Sequence, residues 1–433
     1  MSGIRALTAS SFLALLLALG SATTTQKGKL VRITVTGSQR FSAEQIVSVS
    51  GLSTGQEVTR DDLQAAADRL AQIGYFRDVE YRFTSQGSAL TLELFLKDAP
   101  TVEVSFDNFP WFTDEELLAA MRQTVPLFNG TVPEDGAILE LMRERLEKLL
   151  ETRGGKARVA YRLMARLTEE GMFLQFFAEG ASLKMNGIVL THPLAAENRR
   201  IRELLPTLVG KPYSRFVVEL FLHEHVRPLY TAQGHLRARL GPPEPRFVGD
   251  PNQPLPDSVI VRVPIEPGRV YRIGSVSWSG YAAFGPVALE GFFGMKPGDV
   301  ADDSRIVKGW QRLADEYGRR GYLEARIEPE PIFDDANAHV HFHVAIREGM
   351  PYRMGQLIIT GLSLTAERLV VAAWKIPPGE ILDRVYFEEF VRRLEGPDRT
   401  AIFGEHVVHY TTVGRLLRPN PETRTADVLI DFK

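Results

Sequence analysis

One short phrase returns five times along the chain and constrains its fold more than any other feature: alternating strand residues that run into a turn-forming Gly or Asn. The instances are Ile33-Thr34-Val35-Thr36-Gly37, Val104-Ser105-Phe106-Asp107-Asn108, Leu183-Lys184-Met185-Asn186-Gly187, Val276-Ser277-Trp278-Ser279-Gly280 and Leu357-Ile358-Ile359-Thr360-Gly361. Period-two alternation lays one side of each strand on a core, and Gly or Asn tolerates the positive φ that ends it. A chain of 433 residues ordinarily holds about two to four domains. A repeat of about eighty residues predicts five small modules instead.

The stretch after each opening recurs as well. In the first module Ser42 and Gln45 form an S-x-x-Q capping box for a short helix, and Gly51 and Gly55 then break the chain. Thr59 and Asp62 start a second helix whose Leu63, Ala66, Ala67, Leu70 and Ile73 fall on one face, and Gly74 stops it. Tyr75-Phe76 leads into strands Val79 to Phe83 and Leu90 to Leu96 around a Ser85-to-Ser88 turn. The module reads β-α-α-β-β. The fourth repeats it through Pro297-Gly298-Asp299, a helix with Ile306, Trp310, Leu313 and Tyr317, Gly321-Tyr322-Leu323, and strands Leu323 to Ile327 and Val340 to Ile346. The third keeps the plan through Gly210, a helix with Val217, Leu220, Phe221 and Leu229, and Gly234-His235-Leu236. The second keeps a Thr113/Glu116 capping box, and the fifth a helix through Phe387, Phe390 and Leu394, with Glu395 to Gly404 in place of the Gly-aromatic turn.

With 51 basic and 54 acidic residues spread along the chain, the net charge of -3 argues against nucleic acid as a partner. Arg5, the apolar run Phe12 to Leu19 and the small Gly20-Ser21-Ala22 read as a cleavable secretory signal peptide; a short uncleaved anchor is the alternative. The chain has no cysteine, so disulfides, thiolate metal sites and a cysteine nucleophile are excluded.

No G-x-S-x-G elbow, phosphate loop, G-x-G-x-x-G or H-E-x-x-H pair occurs, so no catalytic residue, cofactor or metal site is assigned and the chain is read as a non-enzyme. His339, His341 and His343 share one face of a strand. That pattern could chelate a metal, but a half-buried strand with Val340, Phe342 and Val344 inward is the commoner arrangement. His223-Glu224-His225 falls on a predicted helix, where the two rings diverge. Pro242 to Pro256 reads as a long hairpin loop rather than a polyproline ligand, and Trp111, Trp278, Trp310 and Trp374 as core.

The strand ending in Gly37, the Gly55-Gln56 turn and Gly74-Tyr75-Phe76 resemble tandem POTRA repeats of the BamA and TamA outer-membrane assembly family, as do Gly280, Gly321-Tyr322 and Gly361 in later modules. The resemblance implies an α+β fold: five β-α-α-β-β modules, each a three-stranded sheet with two helices on one face, in an elongated array. The limits are 1–22 for the signal peptide, then 23–99, 100–180, 181–268, 269–349 and 350–433. In that family a transmembrane β-barrel comes after the repeats. Here the fifth repeat reaches Lys433, which leaves a repeat-only relative or the N-terminal part of a barrel-bearing protein.

The resemblance also implies a site, the free edge of the strand after the Gly-aromatic turn: Val79, Tyr81 and Phe83 in the first module, Leu323, Ala325 and Ile327 in the fourth, Leu236 to Leu240 in the third. Extended clients would add there as an extra strand. The expected partners are unfolded outer-membrane protein clients, or a separate β-barrel or lipoprotein through which membrane association would run. The expected location is the periplasm beside the outer membrane. The rival reading is an architectural envelope linker that docks a partner without touching clients.

Overall fold

The computed structural model describes residues 27–153, 157–167, 170–180, 183–248 and 258–433. The signal-peptide reading, at residues 1–22, lies outside them. The described residues fall into two compact units, 27–180 and 183–433.

The first unit opens with β1 (Gly28–Thr36), α1 (Ala43–Ser50), β2 (Glu57–Val58), α2 (Arg60–Gln72), β3 (Phe76–Gln86) and β4 (Ala89–Asp98). Both capping boxes form: the Ser42 hydroxyl accepts from the Gln45 N–H and Thr59 from Asp62, with each N3 side chain reaching back. The sheet runs β2-β1-β4-β3, with β1 parallel to β4. Leu90, Leu92, Leu94 and Leu96 alternate inward from β4 against Ile46, Leu63, Ala66 and Leu70. Each large aliphatic side chain so buried stabilises the module by about 1.5–3 kcal/mol. The short β2, just after the Gly55-Gln56 turn, adds a fourth strand to the three expected.

The same plan returns in β5 (Val102–Phe106), α3 (Asp114–Thr124), β6 (Thr131–Val132), α4 (Ala137–Thr152), β7 (Arg158–Ala165) and β8 (Met172–Glu179), with order β6-β5-β8-β7.

The second unit begins with β9 (Lys184–Leu190), α5 (Pro193–Ala196), α6 (Arg199–Leu204), α7 (Arg215–Phe221), α8 (Arg227–Thr231), β10 (Arg239–Leu240), β11 (Glu244–Phe247), β12 (Ser258–Val263) and β13 (Ile265–Glu266). Its first strand does not end at Gly187, as the repeat suggested, but runs on to Leu190. Thr191 closes it by donating its N–H to the Val263 carbonyl at 3.2 Å. His223-Glu224-His225 sits in a π-helical turn, Leu222–Val226, joining α7 to α8. Pro228 has no N–H for the Glu224 carbonyl one turn back, and the wider turn accommodates that loss.

Next come β14 (Arg272–Ser279), α9 (Pro286–Phe293), α10 (Asp303–Arg319), β15 (Arg326–Asp334) and β16 (His339–Arg347), with order β14-β16-β15. The last group is β17 (Arg353–Thr360), α11 (Leu364–Ala373), α12 (Arg384–Glu395), α13 (Thr400–Phe403), β18 (Val413–Asn420) and β19 (Thr425–Phe432), with order β17-β19-β18. The fold is α+β, a sheet-and-helix module repeated. Trp310 stacks on Phe293 at 4.2 Å and meets Trp278 edge-on, while Trp374 packs on Phe390, so these tryptophans belong to cores. Among the described residues no helix is long and apolar enough to cross a membrane.

Candidate functional site

Each sheet ends on a strand bonded to one neighbour only, and the ladder register decides what that edge offers. In the first sheet the Leu94 carbonyl accepts from the Thr36 hydroxyl of β1, and a Cβ on Gly37 would overlap the Leu96 carbonyl oxygen. The even-numbered residues of β4 therefore turn their backbone groups to β1, and its odd-numbered residues bond β3. Arg82, opposite Glu93, is consumed by that bonding. Val79, Tyr81 and Phe83, opposite Leu96, Leu94 and Leu92, point their N–H and C=O groups out from the sheet. Their side chains lie on the helix side, where the Tyr81 hydroxyl donates to Gln64 Oε1 of α2 at 3.0 Å. Phe83 is 38% exposed. A strand edge and an adjoining helix thus form a groove that can pair a backbone and receive alternate side chains.

The fourth sheet differs. Leu323 and Ala325, expected on its edge strand, are not in it: Leu323 donates its N–H to the Gly321 carbonyl and Ala325 to that of Tyr322, and β15 starts only at Arg326. Leu323 packs on the core of the fifth sheet instead. Ile327 does lie on β15, opposite Ile346. Of its outward-facing companions, Pro329, opposite Val344, and Pro331, opposite Phe342, have no N–H to offer, while Phe333, opposite Val340, keeps one.

The third sheet's edge is β11 rather than Leu236 to Leu240; of that stretch Arg239 and Leu240 form β10, which pairs with β13. The edge strand lies in the proline-rich stretch that reads as a loop, and Pro245 sits at an outward position. On the last edge, β18, Pro419 does the same. Prolines at outward positions blunt three edges. Neither β3 nor β7 contains one.

The glycines of the repeated phrases have structural duties. Gly37, Gly280 and Gly361, all at positive φ, lie against the carbonyls of Leu96, Ile346 and Phe432, where a Cβ would clash. In the second sheet Asn108 takes this place, its amide donating to the Ala178 carbonyl at 2.9 Å. Gly55 (φ 94°) donates to the Leu30 carbonyl.

Gly74 and Gly321 sit where one module meets the next. A Cβ on Gly74 would lie 2.7 Å from the Asp135 carbonyl oxygen, and the Gly321 carbonyl accepts the Tyr352 N–H at 2.8 Å. Tyr75 is fully buried, and its hydroxyl donates to the Thr131 carbonyl of β6 at 2.7 Å; burial pushes its pKa up. Phe76 is buried against Phe41, and Tyr322 packs edge-on against Tyr317. The Gly-aromatic turn is therefore a junction as much as an entry to an edge.

His339, His341 and His343 share the open face of β16. The Nδ1 atoms of His341 and His343 lie 2.8 and 3.0 Å from the hydroxyls of Ser275 and Ser277, while Val340, Phe342 and Val344 face the core.

The family model described as POTRA: Surface antigen variable number repeat matches residues 29–107 and 271–349. The chain carries POTRA domains. The first matched stretch holds the β3 edge and the second the proline-bearing β15. A relative from Treponema pallidum (strain Nichols), named "Putative outer membrane protein assembly factor", is 22% identical over 166 residues, which are 38% of this chain and 19% of the relative. The chain thus spans about a fifth of that relative's length. POTRA domains three to five of Haemophilus influenzae BamA share 19% identity with a TM-score of 0.44, covering 58% of this chain and 96% of that one. POTRA domains one to three of Omp85 from Anabaena share 13% with a TM-score of 0.20, covering 75% and 97%.

Both matched POTRA domains hold the turn after their first strand in the same way. Asp98 Oδ2 accepts the N–H groups of Gln39 and Arg40 at 2.9 and 3.2 Å, and Glu348 Oε1 accepts those of Ala282 and Ala283 at 2.7 and 2.8 Å.

Proposed function

We propose that this chain is a non-catalytic periplasmic scaffold beside the outer membrane, which binds unfolded, β-rich outer-membrane clients by strand addition during their assembly. The docking edge is β3. The observation that carries the reading is its outward row of Val79, Tyr81 and Phe83, free of proline and bordered by α2. The name of the Treponema relative supports the same process. A few backbone hydrogen bonds at about 0.5–1.5 kcal/mol net each must offset the cost of association, so a single edge binds in the range of about micromolar to millimolar. Weak binding suits a surface that passes clients on. For the sheets with outward prolines the rival role, an architectural linker that docks a barrel or lipoprotein partner, fits better, because each proline removes one outward donor from the row that strand addition would use.

A photo-crosslinker placed at Tyr81 and, separately, at Ile332 of β15 tests the division. Tyr81 should capture extended outer-membrane clients in the periplasm and Ile332 should not. Capture of a single folded partner at Tyr81, with no client, would refute the scaffold reading in favour of the linker.

A further inference from the structure

The edge of the second sheet carries a contact that the first lacks. Ala178 of β8 uses both its backbone groups on the Asn108 side chain, on the β5 side, so its partner Val159 in β7 belongs to a pair without mutual hydrogen bonds. The Val159 N–H therefore points out from the sheet, as do those of Tyr161 and Leu163. Yet the first of these donors is taken: Glu147 of α4 reaches across and accepts the Val159 N–H on Oε1 at 3.0 Å. The same oxygen accepts from Arg143 at 2.8 Å, and Arg143 also donates to Glu140 at 2.7 Å. Glu140 in turn accepts the Tyr161 hydroxyl at 3.2 Å. Two side-chain bridges thus close the groove between α4 and β7, a space of ≈ 830 Å³ whose charged lining is Glu140, Glu147, Glu151 and Glu179 against Arg143 and Arg158.

We infer that Glu147 is an autoinhibitory cap on the β7 edge, displaced by an extended segment that carries a lysine or arginine. The inference rests on strand addition as the mode of binding and adds its regulation at a second edge. A client carbonyl must take the Val159 N–H, so Glu147 has to swing off. A neutral segment leaves that carboxylate with less than it had. A basic side chain entering a groove of negative balance offers it a new partner, so the cap opens for basic segments and resists neutral ones.

The test uses residues 23–433 and two synthetic ten-residue peptides of alternating apolar and polar residues, identical except for Lys or Gln at one polar position. Binding at each edge is read from the amide signals of Val159 and Tyr161 in β7 and of Tyr81 in β3. The wild type should bind the Lys peptide at β7 about fivefold more tightly than the Gln peptide, the scale of one exposed ion pair. Glu147→Ala should erase that preference and raise affinity for the Gln peptide about tenfold, since no cap competes. Glu147→Gln keeps an oxygen for the Val159 N–H but not the charge, and should lose the preference while staying folded, as judged by an unchanged thermal midpoint. If both peptides shift β3 while Glu147→Ala leaves β7 binding as it was, the cap is wrong and the scaffold reading stands. Self-association of Glu147→Ala with no peptide shift at β7 also overturns it, by making Glu147 a guard against aggregation. Shifts at neither edge would bring down strand addition itself.

Discussion

At the scale of single residues, glycines and carboxylates hold the turns that follow the first strands. Gly37→Ala puts a Cβ onto the Leu96 carbonyl at a left-handed backbone, and should cost the first module about 2 kcal/mol or more in a denaturant melt, against about 1 kcal/mol for Gly55→Ala, whose Cβ meets open space. Equal costs would show that close approach adds nothing to backbone strain. Glu348 gives a pH prediction. Burial works against its charge, but the N–H groups of Ala282 and Ala283 and the Tyr317 hydroxyl outweigh it and hold the carboxyl below its ordinary 4.5. A depressed folded pKa means stability present above about pH 4.5 and lost as pH falls through the folded value. Glu348→Gln should therefore flatten the acid limb of the fourth module's stability curve while lowering its stability at pH 7. A variant that keeps the wild-type acid limb would show that Glu348 carries none of it.

At the scale of elements, the capping boxes, the α2 stripe and the β1 and β4 alternation were all legible in the sequence, because each is set by neighbours a few residues away. The edges were not, because register is a property of two strands. Arg82 looks as good a docking residue as Tyr81 until Leu94 is seen bonding to β1. Likewise Leu323 and Ala325 alternate like a strand, but the turn closed by the Gly321 and Tyr322 carbonyls delays β15 to Arg326. The prolines did carry a signal: Pro329 and Pro331 are two apart, so any strand containing both loses donors on one side only. Glu147 left no signal, since helix and edge strand meet only in the folded module. Tyr81→Pro should then abolish client pairing at β3 while Tyr81→Ala, which loses the same side-chain bond to Gln64 but keeps the N–H, weakens it only about threefold. Equal loss in both would place the contact on the side chain.

At the scale of the whole molecule, the repeat reuses one junction. Within the second unit, Leu236 packs on the fourth sheet's core as Leu323 does on the fifth's, and Arg384 of α12 reaches back to the Ala314 carbonyl and Asp315 of α10, over a Gly318 that leaves it room. Arg384→Ala should speed exchange of the Tyr352 amide, bonded to Gly321 across that junction, by about tenfold, equivalent to about 1.4 kcal/mol; unchanged exchange would mean the junction holds without it. The central claim of the proposed function is that β3 accepts another chain by its backbone. Titration of residues 23–433 with an extended barrel-strand peptide, monitored by amide NMR, tests it most directly. The account predicts that the Val79, Tyr81 and Phe83 amides move together and saturate in the range of about micromolar to millimolar, while Arg82 and β15 hold still. Movement confined to helix or loop amides, or to Arg82 with its outward neighbours unmoved, would contradict it.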